Sequence, residues 1–285
     1  MAEHKHKKFV RSKSPPGQLR IQPRDVALLR DLASFRFLNT EQIMALHPGG
    51  QRNLQRRLRY LYHLGYVERP ESQTLINLPS DYLVYALGKK GAQLAFAEER
   101  AVKSWSRLNA KIASPNLAHA LMVSQFRTVL TLALQKRGGK ITRWHQGYDL
   151  KDILTIKGKS PAVVPDGFFT IEIDNGRWHF FLEADRSTMA HHRFLAKMKA
   201  YWDWWRERTY NDHLGIAKFR ILTIADTEGR KENLRATSKN ADTRREGSNL
   251  FLFACGKEYS LEKPEAVLQL IWQSPKDDVK HSLLE

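Results

Sequence analysis

Apolar residues recur every three or four positions through the first part of the chain, and short loop signals interrupt them. A proline precedes the first apolar stretch, an Asn-Thr pair precedes the second, and a glycine follows the third. These residues favour helix starts, N-caps and C-terminal ends respectively. Two strand-like runs and one more helical stretch come next. The predicted elements are a helix from Pro23, helices over residues 41–46 and 51–64, strands over 66–69 and 82–87, and a helix over 89–100.

The order of these elements, three helices followed by a hairpin and a helix, is that of a winged helix-turn-helix. We therefore predict such a domain over residues 23–100. Residues 1–22 are rich in Lys and Arg and contain a Pro-Pro-Gly break, which is typical of a flexible basic arm. Residues 101–116 have mixed composition and end in a Pro-Asn pair, so we interpret them as a linker.

The rest of the chain mixes helical and strand periods. Because helices alternate with strands, the pattern indicates an α/β domain over residues 117–275, with a mixed sheet flanked by helices, and a tail over 276–285. The chain as a whole is then α+β in composition. The predicted strands cover residues 141–144, 154–156, 167–173, 178–183, 219–225 and 250–254, and the predicted helices cover 117–136, 188–207 and 264–272.

The charge balance indicates the kind of partner. Lys and Arg total 47 against 30 Asp and Glu, a net charge of +17 over 285 residues, and so basic a protein favours a polyanion, with double-stranded DNA the first candidate. A hydrophobic content of 42% excludes disorder of the whole chain. The lone Cys255 excludes an intrachain disulfide and a cysteine-built zinc site. No apolar run of bilayer length and no signal peptide stand out, so we expect a cytoplasmic protein without a membrane partner.

The third predicted helix has an apolar face made by Leu54, Leu58 and Leu61. Its other face is basic, and in a helix-turn-helix this face enters the major groove, where Arg can bind guanine and Gln adenine. The alternative is a solvated basic face on a helical bundle. The predicted DNA-binding residues are Arg52, Gln55, Arg56 and Arg59 for bases, and Arg57, Lys89 and Lys90 for the phosphate backbone.

A strong hairpin signal joins two strands of the second half. If Asn175 and Gly176 are the central turn residues, Asp166 lies opposite Asp185. Directly opposed residues and residues two apart share a face, so Glu183 joins them and three carboxylates project together. Such a cluster suits Mg²⁺ or Mn²⁺, which could activate water at a phosphodiester. Acidic residues at strand ends are also common surface features, and that alternative stays open.

The residues around this hairpin resemble the PD-(D/E)xK nuclease pattern, in a variant whose lysine comes from the following helix. Lys197 and Tyr201 lie one turn apart on that helix. The resemblance implies catalytic roles for Asp166, Glu183, Asp185 and Lys197, with the three carboxylates as metal ligands. Two features depart from the pattern: Asp185 stands where a lysine is usual, and the helix over residues 117–136 contains no acid.

The chain from about Arg24 to Tyr201 also resembles the replication-relaxation family of plasmid and mobile-element proteins. A winged helix there precedes a segment like Pro165-Asp166-Gly167, then Glu183-Ala184-Asp185, and His119 fits the same pattern. This resemblance implies DNA binding in replication, mobilisation or transfer of a mobile element. Two alternatives remain: a metal-dependent DNA endonuclease, and a transcriptional regulator whose second domain mediates homodimerisation.

Overall fold

The computed structural model describes residues 7–13, 19–76, 82–96 and 111–285. The chain divides into two compact units, Met1–Gln125 and Phe126–Glu285. The division falls inside one long helix, Ser114–Lys136.

Two helix ends of the first unit lie at residues that favour those positions. Asn39 caps the second helix by accepting a hydrogen bond from the Gln42 amide at 2.8 Å. Gly65 ends the third helix in the left-handed conformation, with φ 88°. The helices are α1 (Pro23–Phe35), α2 (Thr40–Leu46), α3 (Gln51–Leu64) and α4 (Lys89–Ala95).

A three-stranded antiparallel sheet completes the first unit. Its strands are β1 (Phe37–Asn39), β2 (Val67–Glu68) and β3 (Val84–Leu87), in the order β1-β3-β2. The sequence pattern predicted the last two but not β1, which is only three residues long. Part of the loop between β2 and β3, residues 77–81, lies outside the described residues. The closing helix, predicted over residues 89–100, ends at Ala95, and residues 97–110 also lie outside the described residues.

The N-terminal segment differs from the predicted flexible arm over residues 7–13, which pack onto the first unit. Arg11 forms a 2.6 Å ion pair with Glu68, and its guanidinium lies 4.7 Å from the centre of the Tyr62 ring. Arg69 donates a hydrogen bond to the Lys8 carbonyl at 2.9 Å. Cation–π contacts and these hydrogen bonds anchor a segment whose composition alone suggested a solvated tail. Residues 1–6 and 14–18 of the predicted arm lie outside the described residues.

The second unit is built on a seven-stranded mixed sheet in the order β10-β9-β8-β7-β6-β5-β4. The central pairs β6–β7 and β7–β8 are parallel, and the outer pairs are antiparallel. The predicted α/β class with a mixed sheet is thereby confirmed. The strands are β4 (Lys140–His145), β5 (Gly167–Ile173), β6 (Gly176–Asp185), β7 (Arg220–Ala225), β8 (Phe251–Cys255), β9 (Trp272–Gln273) and β10 (Lys280–His281).

Three elements of the second unit differ from the sequence prediction. Residues 154–156, predicted as a strand, hold the end of a helix and an isolated bridge at Ile156. The predicted last helix is a short 3-10 helix, Pro264–Leu268, followed by β9, and the predicted tail carries β10. The helices are α5 (Ser114–Lys136), shared with the first unit, then α6 (Gly147–Leu154), α7 (His191–Glu207), α8 (Asn211–Leu214) and α9 (Glu228–Ser238).

Helix α5 is long and apolar enough to cross a membrane by length and composition, which corrects the expectation that no such run exists. Of its most apolar 18-residue window, 61% is buried inside the protein. A core helix of a soluble protein passes the same test, so this is weak evidence for a membrane span.

Strands β5 and β6 form the predicted hairpin, but each residue of β5 lies opposite a β6 residue two positions earlier than predicted. Ile173 pairs with Gly176, so the turn residues are Asp174 and Asn175, with φ 48° and 60°. Asp and Asn tolerate the left-handed conformation that a two-residue hairpin turn requires. Gly176 lies in the strand itself, and a Cβ there would displace the Trp178 ring, whose nearest atom would lie 2.0 Å away.

Candidate functional site

The observed register changes the surroundings of Asp166. Strand β5 begins one residue after it, and continuing the pairing places Asp166 level with Glu183 instead of Asp185. The Asp166 amide donates to the Leu182 carbonyl at 2.9 Å, and its carboxylate accepts from the Ala184 amide at 2.8 Å. Asp166 is thus fixed against the backbone of β6 beside Glu183.

Glu183 is buried and both of its carboxylate oxygens have partners. Lys197 forms an ion pair with one oxygen, and the Tyr201 hydroxyl donates to the other. Lys197 and Tyr201 lie one turn apart on α7, so they present their polar groups to the same strand residue. The predicted contact between the helix lysine and the hairpin carboxylates is therefore present at Glu183.

Burial shifts the pKa values of Glu183, Lys197 and Tyr201. Burial raises the pKa of Glu183 from 4.5 to about 7; the Lys197 charge opposes the rise, and the Asp166 charge adds to it. Burial lowers the pKa of Lys197, but the Glu183 and Asp166 carboxylates outweigh that effect and leave it raised. Burial, followed by the charge of Glu183, raises the pKa of Tyr201 well above its ordinary value. Asp166, Glu183 and Lys197 therefore form one electrostatically coupled group.

Asp185 forms a different ion pair, although its charge also helps to raise the pKa of Lys197. Arg230 on α9 binds it bidentately, with Nε to Oδ1 at 2.7 Å and a second guanidinium nitrogen to Oδ2 at 3.0 Å. The Ser187 amide also donates to Asp185, at 2.8 Å. Arg230 in turn donates to the Met189 carbonyl at 2.5 Å. Arg230 is not among the predicted site residues, because its pairing with Asp185 spans 45 residues and leaves no local sequence signal.

These contacts do not fit a divalent metal bound by Asp166, Glu183 and Asp185. Within the part of the chain that the structure describes, no group of three or more His, Cys, Asp or Glu side chains could hold a metal ion. Glu183 gives its oxygens to Lys197 and Tyr201, and Asp185 gives both of its oxygens to Arg230. Protein cations therefore neutralise Glu183 and Asp185 in this structure, and metal binding by the three carboxylates stays a prediction.

The first unit presents the opposite arrangement on α3. Leu54, Leu58 and Leu61 are buried, as the sequence predicted. Among the described residues, no carboxylate forms an ion pair with the arginines of the outer face, and α3 contains no acidic residue. On that outer face Arg52, Arg56 and Arg59 are exposed and Gln55 is half-buried.

Arg57 differs from its neighbours on α3. It forms a bidentate ion pair with Asp25 of α1, a residue that is only 3% exposed, with Nε to Oδ1 at 2.7 Å. It also donates to the Arg20 carbonyl at 2.5 Å. Arg57 therefore joins α3 to α1, and its contact with the DNA backbone stays a prediction.

The pair Lys89 and Lys90 is exposed at the first turn of α4. A glycine on each side of the pair allows close packing, because a Cβ at Gly88 would lie 2.6 Å from the Gly65 carbonyl oxygen and a Cβ at Gly91 would lie 2.1 Å from the Tyr66 carbonyl oxygen. Both lysines are thus held at the surface of the first unit by close packing of α4 against the chain beside β2.

Sequence comparison now adds to this geometry. The profile of the replication-relaxation family matches residues 29–218, two thirds of the chain. The chain belongs to the replication-relaxation family. The resemblance drawn from the sequence is confirmed. The match includes α3, Asp166, Glu183 and Lys197, whereas Arg230, the partner of Asp185, lies beyond its end.

Other comparisons of this replication-relaxation protein are less informative. No curated protein matches its sequence. Among solved structures it is similar to a chain described as the structure of restriction endonuclease FokI, at 12% sequence identity and a TM-score of 0.32. The similarity covers 86% of this chain and 43% of the other.

Proposed function

We propose that this replication-relaxation protein binds double-stranded DNA for the replication, mobilisation or transfer of a plasmid or other mobile element in the cytosol. The first unit is a winged helix with α3 as its recognition helix. The second unit is an α/β body with a nuclease-like arrangement of Asp166, Glu183 and Lys197 that takes no direct part in cutting.

The outer face of α3 carries this proposal. Three arginines in two helical turns face solvent without carboxylate partners among the described residues. Arg57, in contrast, is bound to a buried aspartate, so α3 is held in place by one arginine while the others stay available. Arg and Gln side chains at this spacing suit guanine and adenine edges in a major groove. The order of helices and strands, with β2 and β3 following α3, supports the same function.

The second unit supports binding over hydrolysis because its carboxylates already have cationic partners. A metal-dependent endonuclease needs carboxylate oxygens that can accept a metal ion, whereas those of Glu183 and Asp185 accept from Lys197, Tyr201 and Arg230. A transcriptional regulator would also bind DNA through α3 but would form a homodimer through the second unit.

Measuring the oligomeric state in solution distinguishes this alternative from the proposed function.

A salt titration of duplex binding tests the proposal. The full chain is titrated with a labelled duplex at several salt concentrations, beside a variant in which Arg52, Arg56 and Arg59 are all Gln. If α3 lies in the groove, log K falls with log salt by about 0.9 per phosphate contacted. The variant then binds more weakly at every salt concentration, and the same triple change leaves the unfolding midpoint of the protein unaltered. Equal affinity of the two proteins would contradict the proposal.

A further inference from the structure

A cavity of about 180 Å³ lies on the hairpin side of the second unit, lined by Thr142, Arg143, Thr170, Glu172, Arg177, His179 and Gly215. It lies on the sheet face that also carries Glu183, because His179 and Glu183 are four residues apart on β6. Between them, Phe168 pairs with Phe181, and both are fully buried. The cavity is therefore separate from the Glu183 group.

The strand register brings the polar lining of this cavity together. Arg143 on β4 pairs with Thr170 on β5, and Thr170 pairs with His179 on β6, so the three side chains form one row across the sheet. The Thr170 hydroxyl and His179 Nδ1 lie 2.9 Å apart. Arg143 is held in the row by donating to the Leu214 carbonyl at 2.6 Å and by lying 5.0 Å from the centre of the Phe168 ring.

The charge around this row is positive. Arg143 has no carboxylate ion-pair partner among the described residues, and Arg177 and Lys140 share a single one, Glu172, at 2.6 Å and 3.6 Å. Three cations therefore face one anion. Burial and the charges of Arg143 and Arg177 lower the pKa of His179, and burial and the charge of Arg177 lower the pKa of Arg143. Burial is the larger cause of both shifts, and the neighbouring positive charges act in the same direction.

We propose that this cavity binds a phosphate group. Guanidinium and hydroxyl donors from Arg143, Arg177 and Thr170 match the oxygens of a tetrahedral anion. The cavity is large enough for a phosphate group. Its volume is about 180 Å³, whereas a single water molecule needs about 10–15 Å³ of cavity volume. The Arg177 side chain is 65% exposed, so the ligand enters from solvent. The phosphate comes either from a nucleic-acid backbone or from a free phosphate compound.

Phosphate titration of the full-length protein tests the site. Inorganic phosphate replaces chloride at constant ionic strength and pH 7, and NMR follows the imidazole signals of His179, assigned with His179→Gln. We expect a saturable shift in the wild type. In Arg177→Gln and in Arg143→Gln the binding should weaken about tenfold, the loss expected for one charge-assisted hydrogen bond. Arg206→Gln is the matched control, because Arg206 is 58% exposed and also ion-paired but is not one of the residues that line the cavity.

The controls keep the test decisive. Arg143 contacts the Leu214 carbonyl and the Phe168 ring, so its variant is checked for folding, whereas Arg177 is exposed and its variant should fold normally. No shift at His179 with phosphate, or equal shifts in wild type and Arg177→Gln, would overturn the inference.

A parallel titration with a short duplex identifies the source of the phosphate. If Arg177→Gln binds the duplex more weakly, the phosphate that the cavity binds belongs to the nucleic-acid backbone. If Arg177→Gln loses phosphate binding but binds the duplex normally, the cavity binds a free phosphate compound. Neither result depends on α3, so the proposed function can fail without this inference failing.

Discussion

The charged residues on the outer face of α3 and at the C-terminal end of β6 lie in opposite environments. On α3 the arginines are exposed and no carboxylate pairs with those of the outer face among the described residues. On β6, Glu183 and Asp185 are each 3% exposed, and each has a cationic partner from a neighbouring helix. The arginines of α3 are therefore available to a partner molecule, whereas the carboxylates of β6 are neutralised within the protein.

Burial explains the difference. A charge removed from water costs several kcal/mol unless a partner compensates it, so the buried carboxylates of β6 must be paired for the unit to fold. The exposed arginines of α3 keep their hydration and need no partner. Helix α3 contains both cases. Arg57 is paired because it contacts the buried carboxylate of Asp25, whereas the exposed arginines of the outer face have no such partner among the described residues.

The largest effect is expected from breaking the Asp185 pair. Arg230→Ala leaves a buried carboxylate without its bidentate partner and should lower the free energy of unfolding by about 3–5 kcal/mol. Denaturant unfolding measures it. Arg206→Ala, which removes an exposed arginine with only surface partners, should change stability by less than about 0.5 kcal/mol. Equal losses in the two variants would show that the Asp185 pair is as weak as a surface one.

Glu183 should make stability depend on pH. Its pKa is about 7 in the folded protein and 4.5 is its ordinary value, so the folded state binds more protons between these values. Stability is then greatest below pH 4.5 with respect to this group and falls by up to about 3 kcal/mol as pH rises through 7. Glu183→Gln should remove that part of the fall, as measured by denaturant unfolding between pH 5 and 8.

A matched control for this experiment is Glu172→Gln. The ion pair with Arg177 lowers the pKa of Glu172, so this group stays ionised from pH 5 to 8 and its substitution should leave the slope unchanged. If Glu183→Gln instead makes stability fall more steeply with pH, the Lys197 ion pair dominates and the carboxyl is ionised throughout.

The smallest effect is expected from metal ions. With Glu183 and Asp185 already bound by protein cations, 1 mM Mn²⁺ should stabilise the protein by less than about 0.1 kcal/mol, as for a ligand tenfold below its Kd. Thermal unfolding with and without Mn²⁺ measures this. A clear rise in Tm that Asp166→Ala abolishes, together with Mn²⁺-dependent nicking of supercoiled plasmid, would contradict the account and establish the endonuclease alternative.

The sequence predicted those parts of the fold that local pattern determines. The spacing of Leu54, Leu58 and Leu61 placed α3 and its buried face correctly, and Gly65 marked its end, because helix period and C-cap chemistry act over a few residues. The strand Gly167–Ile173 was also predicted with its observed bounds. The mixed sheet followed from the alternation of helices and strands.

The site depended on contacts that local pattern does not determine. The hairpin turn had two allowed positions one residue apart, and the choice moved the opposed pairs by two residues. Asp25 pairs with Arg57 across 32 residues and Asp185 with Arg230 across 45. Such pairing is set by tertiary packing, so the sequence could indicate which residues are charged but not which charges neutralise each other.

The most direct measurement compares two sets of α3 variants for both duplex affinity and stability. Arg56→Ala with Arg59→Ala removes exposed side chains and should weaken duplex binding by about 1–3 kcal/mol per base contact, with the unfolding free energy unchanged. Arg57→Ala should lower the unfolding free energy by about 3 kcal/mol, because buried Asp25 loses its partner. Gel-shift titration at fixed salt and denaturant unfolding of the same preparations give both quantities. If the double variant keeps wild-type affinity for duplex DNA, α3 is not a DNA-binding helix and the account is wrong.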